Sequence, residues 1–351
     1  MFTNNTKTII AIFFFLCNEL IHLVYEKHRQ RKEDYDRKLE VRELFYDLLN
    51  DNLDIAFDLY MVGSSQTQFS LRSSDMDLCM LVYDDQGRID KRLIQNRNRT
   101  ISLLQTIKNI IQKNYALDET KLKLLMNARV PILKIGASKY FYQIAVDLNI
   151  NGDVSIRNTF LLTFYQELDN RVAPLVVAVK SWAHKKQIDL PYRGTLSSYS
   201  LSLMVIHFLQ NIDPPILPML QIDLSDKSFF DQIVSSGDLQ QNLAILIFDT
   251  KQKFRTKNHS ALGELFYHFI EYYYFRLQPQ LNVSRFFSIR HPFMNQKPNY
   301  LSLIMIEDPF HLNNTAQSVS YPPVFLQILE AFRCTYQSLN CCVFSKQFFD
   351  F

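Results

Sequence analysis

Residues 59–83 read LYMVGSSQTQFSLRSSDMDLCMLVY, and the order of apolar and polar groups in this stretch decides the fold. Residues 59–62 form a short apolar strand candidate that runs into Gly63-Ser64-Ser65. Residues 77–83, DLCMLVY, read as a buried strand ended by the turn sequence Asp84-Asp85-Gln86-Gly87. Asp75-Met76-Asp77 leads into that strand. In extended chain, residues at i and i+2 point to the same face, so Asp75 and Asp77 form a carboxylate pair. Two bare anions side by side repel, and the pair becomes sensible around a cation.

Outward from this stretch, residues 141–150 alternate. Tyr142, Ile144, Val146, Leu148 and Ile150 interleave with Gln143, Ala145, Asp147 and Asn149, so Asp147 projects from the face opposite the apolar set. Residues 130–135 read as another strand. Residues 37–50 place Val41, Leu44, Phe45, Leu48 and Leu49 at helical spacing, and 101–111 return to that period. After Asn151-Gly152 helices dominate: 157–168, then 174–186 opening on Pro174, then 198–210. Asp213-Pro214-Pro215 breaks the pattern, residues 213–240 read as an irregular connector, and helices follow near 240–250 and 262–277. The expected class is α+β: an N-terminal helical segment (1–36), an α/β catalytic unit (37–150) and a mainly helical unit (151–351).

Composition permits a large core, since 47% of the 351 residues are hydrophobic and 28 Phe with 18 Tyr supply bulk. A net charge of +3 allows a polyanionic partner without demanding one. The charged run from Lys27 to Lys38 reads as a solvated helix face, being mixed with Glu33, Asp34 and Asp36. Five cysteines, odd in number and without a C-x-x-C, fit a reducing compartment better than disulfides or zinc. The apolar residues 9–17 are too few to span a bilayer and are expected to pack as a helix, so no stable membrane association is expected. The seven glycines are spaced too widely for a P-loop, a dinucleotide fingerprint or a G-x-x-G clamp, which closes those routes to phosphate chemistry.

What remains is a three-carboxylate arrangement of Asp75, Asp77 and Asp147. Mg²⁺ favours a few carboxylates together with substrate phosphates and water. Two such ions serve phosphoryl or nucleotidyl transfer by activating an attacking oxygen and stabilising a leaving one. Gly63-Ser64-Ser65 offers backbone N–H groups and hydroxyls to phosphate oxygens. A lone D-x-D is commonly a surface turn. The full order of strand, GSS, D-x-D, strand and later Asp is far more specific.

That order resembles the signature of the DNA polymerase beta-like nucleotidyltransferase superfamily. Longer stretches are similar to its noncanonical cytoplasmic poly(A) RNA polymerases of the germline-development type: SSDMDLCMLV (73–82), VDLNINGDVSIRNTFLL (146–162), RVAPLVVAVKSWAHKKQI (171–188), RGTLSSYSLSLMVIHFLQ (193–210), LGELFYHFIEYYYF (262–275) and IEDPFHLNNTA (306–316). The resemblance covers roughly residues 37–335. It implies a bilobed fold, with a small mixed-sheet catalytic domain and a helical central domain clamping nucleotide between them. It implies that Asp75, Asp77 and Asp147 hold Mg²⁺ or Mn²⁺, with Asp147 near the attacking 3′ hydroxyl. Gly63 and Ser64 would hold the triphosphate, and Asn158 and Thr159 would contact the ribose; on the residues alone, the latter two read equally as helix caps. Lys180 would meet the β- and γ-phosphates with His184 assisting, Ser198 would contact phosphate, and Tyr199 would stack on the base. ATP and an RNA 3′ end would be the substrates, an RNA-binding adaptor protein would choose targets, and the site of action would be the cytoplasm, nuclear presence being left open.

The chain departs from the family at Thr67-Gln68-Phe69-Ser70, where Asn-Gly and an aromatic are usual, so Gln68 is expected to crowd or stiffen the turn. In uridylyl-transferring relatives a histidine follows shortly after the Asp-Pro-Phe turn. Here Asp308-Pro309-Phe310 is followed at once by His311, too early for that role, which favours adenine over uracil. Terminal uridylyl transfer and a degenerate polymerase kept as a scaffold are the rival readings.

Overall fold

The computed structural model describes residues 4–72, 74–128, 130–219, 239–278, 285–290, 302–341 and 348–349. The chain divides into two compact units, residues 30–163 and residues 1–29 with 164–351. Those boundaries differ from the divisions at 36/37 and 150/151 read from the sequence.

The 30–163 unit is built on a five-stranded mixed sheet of order β1-β2-β5-β4-β3. Its strands are β1 (Phe57–Val62), β2 (Met76–Val82), β3 (Leu122–Leu125), β4 (Ile132–Ile135) and β5 (Val146–Ile150). β2 and β5 are parallel, and every other pair is antiparallel. Helices α1 (Asn4–His28), α2 (Lys32–Asn50), α3 (Lys91–Gln95) and α4 (Arg97–Tyr115) come next in the labelling. α2 contributes Val41, Phe45 and Leu49, and α4 contributes Leu104, Ile107 and Ile111, each set on one helical stripe. These pack with Leu78, Met80, Leu133, Val146 and Leu148 into one core. α4 starts cleanly because Asn96 accepts the Asn98 and Arg99 N–H groups.

β5 is shorter than the alternation suggests. Residues 139–141 form a 3-10 turn, and Tyr142 and Gln143 are left-handed, at φ of 51° and 60°. Only Val146, Leu148 and Ile150 are buried from the apolar set, and Tyr142 is 50% exposed. β3 was not anticipated. The strand read over 130–135 begins at Ile132.

The other unit is mainly helical. It holds α1, the end of α5 (Asp153–Leu168), then α6 (Val172–Lys185), α7 (Ser198–Asn211), α8 (Leu239–Lys253), α9 (Leu262–Leu277) and α10 (Pro322–Asn340), with a small parallel pair, β6 (Phe286–Phe287) and β7 (Met305–Ile306). Every residue of α6 from Val172 to Ala183 is buried, so α6 is the unit's central element. Trp182 on it donates to Thr335 Oγ1 at 3.0 Å and lies edge-on to Phe332. α1 packs on α9 and α6, burying Phe13, Cys17, Ile21 and Val24. The approach is close: a Cβ on Gly263 would lie 2.6 Å from the Asn18 nitrogen and 2.8 Å from the Phe14 carbonyl oxygen. Most of the connector read over 213–240 falls outside the described residues. Among those described, no helix is long and apolar enough to cross a membrane.

Candidate active site

In the 30–163 unit the sheet register sets the geometry. Val62 pairs with Asp77, Asp77 with Asp147, and Asp147 with Lys134, so the four stand in one row across adjacent strands. Paired residues project on the same face of a sheet. Two carboxylates and an ammonium therefore share the face opposite the Leu78–Leu148–Leu133 row. The Lys134 ammonium donates to Asp147 Oδ2 at 2.5 Å.

Gly63 closes the next side. Its φ is 72°, and a Cβ there would meet Asp77 Oδ2 at 2.6 Å, so only glycine permits both the turn and the approach. The Gly63 N–H donates to Thr159 Oγ1 at 2.8 Å, and that hydroxyl donates in turn to the Ser155 carbonyl at 2.6 Å. Thr159 and Asn158 lie inside α5, not at its start, which removes the helix-cap reading of this pair. Asp75 is exposed, one residue before β2, and its carbonyl accepts from Ser65 Oγ at 3.4 Å.

The electrostatics are unbalanced. Burial and the neighbouring Asp147 and Asp75 carboxylates push the Asp77 pKa up to about 6, while Lys134 and Lys38 act the other way. Burial also raises Asp147, against its hydrogen bond from Lys134. Like charges held this near favour a proton or a cation. Among the described residues no three carboxylate, imidazole or thiol groups stand close enough to hold a metal as placed. The donor set nonetheless fits a hard divalent ion: the oxygens are carboxylate, and Asp77 carries negative charge its surroundings do not fully compensate.

Lys38 escaped the sequence reading. It belongs to the charged run taken as a solvated helix face, yet it is only 2% exposed. Its ammonium donates to Ser65 Oγ at 2.8 Å, Gln30 Oε1 at 2.9 Å and Ser70 Oγ at 3.5 Å. Gln30 also donates to the Ser65 carbonyl at 2.9 Å. Burial lowers the Lys38 pKa to about 8, against the attraction of Asp77, Asp34 and Asp75. Lys38 thus holds the Gly63–Ser65 turn from beneath. Helical periodicity gives no hint of this, because its partners lie far along the chain. Lys134 had a usable signal: in ILKI (132–135) it alternates away from Leu133 and Ile135, onto the face Asp147 uses.

In the helical unit, Lys180 is buried on α6. His184, one turn later, is largely exposed and its Nδ1 lies 3.1 Å from Asp189 Oδ2. Ser198 opens α7 after Ser197, whose hydroxyl accepts the Ser200 N–H. Tyr199 donates its hydroxyl to Asp308 Oδ2 at 3.1 Å. The other oxygen of Asp308 accepts the N–H groups of Phe310 and His311 at 2.9 and 2.8 Å. Asp308 therefore fixes both the turn and the tyrosine, a link the sequence reading lacked.

Residues 17–167 match a family described as "Poly(A) RNA polymerase, mitochondrial-like, central palm domain". The chain is 37% identical over 258 residues to poly(A) RNA polymerase gld-2 of Caenorhabditis elegans, covering 73% of this chain and 22% of that protein. It is 33% identical over 338 residues to poly(A) RNA polymerase GLD2 of Rattus norvegicus, covering 93% and 64%. The chain is similar to poly(A) RNA polymerases over most of its own length. It spans 64% of the length of the rat poly(A) RNA polymerase, and less of the worm one. The fold of this chain is similar to that of the Cid1 poly(U) polymerase crystal structure, at a TM-score of 0.69 and 24% identity, covering 92% of this chain and 93% of that one. A Cid1 structure with Mg 3′-dATP bound gives 0.70 at 25% identity, covering 92% and 94%.

Proposed function

We propose that this chain adds AMP from ATP to RNA 3′ ends without a template, in the cytoplasm, on targets chosen by an RNA-binding adaptor protein. The observation that carries the reading is the Asp77–Asp147 row beside the Gly63 turn, in a chain related to poly(A) RNA polymerases. Asp75, Asp77 and Asp147 would hold Mg²⁺ or Mn²⁺. When bound, the metal supplies activation of the attacking oxygen and charge neutralisation at the phosphates.

The remaining steps belong to the chain's own groups. Gly63 and Ser64 present the phosphate-binding turn, held in place by Lys38 through Ser65 and by Thr159 through the Gly63 N–H. Asp147 orients the 3′ hydroxyl, and Lys134 keeps that carboxylate in line. On the helical unit, Lys180, His184 and Ser198 take the phosphate roles the resemblance implies and Tyr199 takes the base, while Asn158 and Thr159 of the 30–163 unit take the ribose. The Asp308 carboxylate supports the base-stacking role by fixing the tyrosine hydroxyl.

Competitive single-nucleotide addition to an oligoadenylate primer tests the reading. ATP is expected to exceed UTP in kcat/KM by roughly tenfold to a hundredfold. Preference for UTP would replace the nucleotide and leave nucleotidyl transfer standing. Absence of any extension by folded protein would leave the scaffold reading.

A further inference from the structure

Within the 30–163 unit, a cavity of about 280 Å³ opens beside Asp75, between α2, Arg72, Ser74 and the segment leading into β5. Its walls carry three cations, Arg37, Lys38 and Arg72. Arg72 is tied only loosely, to Asp34 at 3.5 Å, and is 46% exposed. That aspartate is already engaged by the Arg31 N–H at the start of α2. Among the described residues no carboxylate lies within ion-pair distance of Arg37. The opposite wall is the left-handed pair Tyr142–Gln143, backbone conformations that persist only where surrounding structure enforces them. They hold the half-exposed Tyr142 ring at the cavity, its hydroxyl anchored on Glu40 Oε2 at 2.5 Å.

We infer that this cavity is a subsite for the RNA strand, taking the phosphodiester groups behind the 3′-terminal nucleotide on Arg37 and Arg72, with Tyr142 stacking against a base or ribose. The inference rests on the nucleotidyl-transfer reading for the direction of the strand. Gln143, Ile144 and Ala145 line the cavity and run directly into Asp147, the carboxylate assigned to the 3′ hydroxyl. A strand ending at Asp147 has its preceding backbone here, whereas the triphosphate is assigned to Gly63 and Ser64. Guanidinium groups suit phosphate geometry, and an exposed aromatic ring stacks on any base, so the subsite grips RNA without reading its sequence. Arg37 and Lys38, both in a run that looks like an ordinary solvated helix face, thereby acquire separate tasks: Arg37 faces the strand, and Lys38 braces the turn.

The test uses the full chain and a fluorescein-labelled short oligoadenylate, measured by anisotropy without ATP or metal. Arg37→Gln and Arg72→Gln are each expected to weaken binding by about tenfold and to lower the salt dependence by about one counterion. Tyr142→Ala is expected to weaken binding with the salt dependence unchanged. In steady-state extension, all three raise the KM for primer and leave the KM for ATP as in wild type. Undiminished oligoadenylate binding by folded Arg37→Gln and Arg72→Gln would overturn the subsite, as would a rise in the KM for ATP alone. Wild-type protein that binds the oligoadenylate but extends it with no nucleotide would overturn the proposed function. Loss of that binding in the arginine variants would then still support the subsite.

Discussion

In the helical unit, His207 is buried and kept neutral, its pKa lowered to about 3 by burial and by Arg276. Tyr273 donates its single hydroxyl proton to the Met204 carbonyl at 2.8 Å, so the His207 Nδ1, 2.9 Å from the same oxygen, must be the donor there. Nearby, the Gln210 Nε2 donates to the Tyr165 hydroxyl at 2.9 Å. In the 30–163 unit, Asp77 is pushed in the opposite sense, up to about 6, by burial and by the carboxylates beside it, and buried Lys38 is held by neutral acceptors. The helical unit settles the polar groups around His207 internally. The other keeps charges that its own residues do not neutralise, and it keeps them at the carboxylate row. Enclosed polarity that is fully matched serves packing, while enclosed polarity left in excess awaits a ligand.

Asp77→Asn should break this contrast most strongly. Primer extension should fall roughly a thousandfold if Asp77 is the metal ligand proposed above. Without divalent metal the same variant should unfold at a higher temperature than wild type, since the like-charge repulsion is gone. Lower apo stability, or extension at the wild-type rate, would count against the assignment of Asp77.

Tyr273→Phe probes the matched cluster around His207. The His207 Nδ1–H would lose its acceptor while staying enclosed, a cost of about 1–3 kcal/mol. Chemical denaturation should show that loss, with kcat per folded molecule unchanged.

The pH dependence of apo stability is next. The folded-state pKa of Asp77, about 6, lies above its unfolded value of 3.8, so the folded state binds the extra proton. Stability from this group is present below the unfolded value and is lost as pH rises through about 6. The effect should be on the order of 1–2 kcal/mol after allowing for solvent screening at this partly exposed position. Saturating Mg²⁺ should flatten the profile near neutral pH, and Asp77→Asn should lack it.

The smallest effect concerns Gln68. Its φ is 55°, so a side chain stands where the backbone suits glycine. Gln68→Gly should therefore stabilise by about 1 kcal/mol, where a loss of similar size would follow from chain entropy alone. Thermal melts of the two proteins decide the sign.

Asp77 and Asp147 were legible because a period of two reports the face of a strand directly, and their register then follows from parallel pairing of β2 and β5. The α2 and α4 stripes were legible for the same kind of reason at a longer period. The limits of β5 were not, because neither Tyr142 nor Gln143 is a residue type that signals a left-handed turn. β3, LKLL over 122–125, is too short and too lightly flanked to announce itself. Lys38 shows the deeper limit: its burial depends on Gln30, Ser65 and Ser70, and no local pattern connects them.

The close approach of α1 to α9 at Gly263 sets an order of events during synthesis. The 30–163 unit is one continuous stretch, so it can complete its sheet as soon as α5 has emerged from the ribosome. α1 precedes that unit in the chain, but its partner glycine is more than two hundred residues downstream, at position 263. Throughout that interval the apolar side of α1, with Phe13, Ile21 and Val24, has no finished surface to join. The nascent chain thus carries α1 as a loose end beside an already folded stretch, and substitutions at Gly263 should act first on yield from translation.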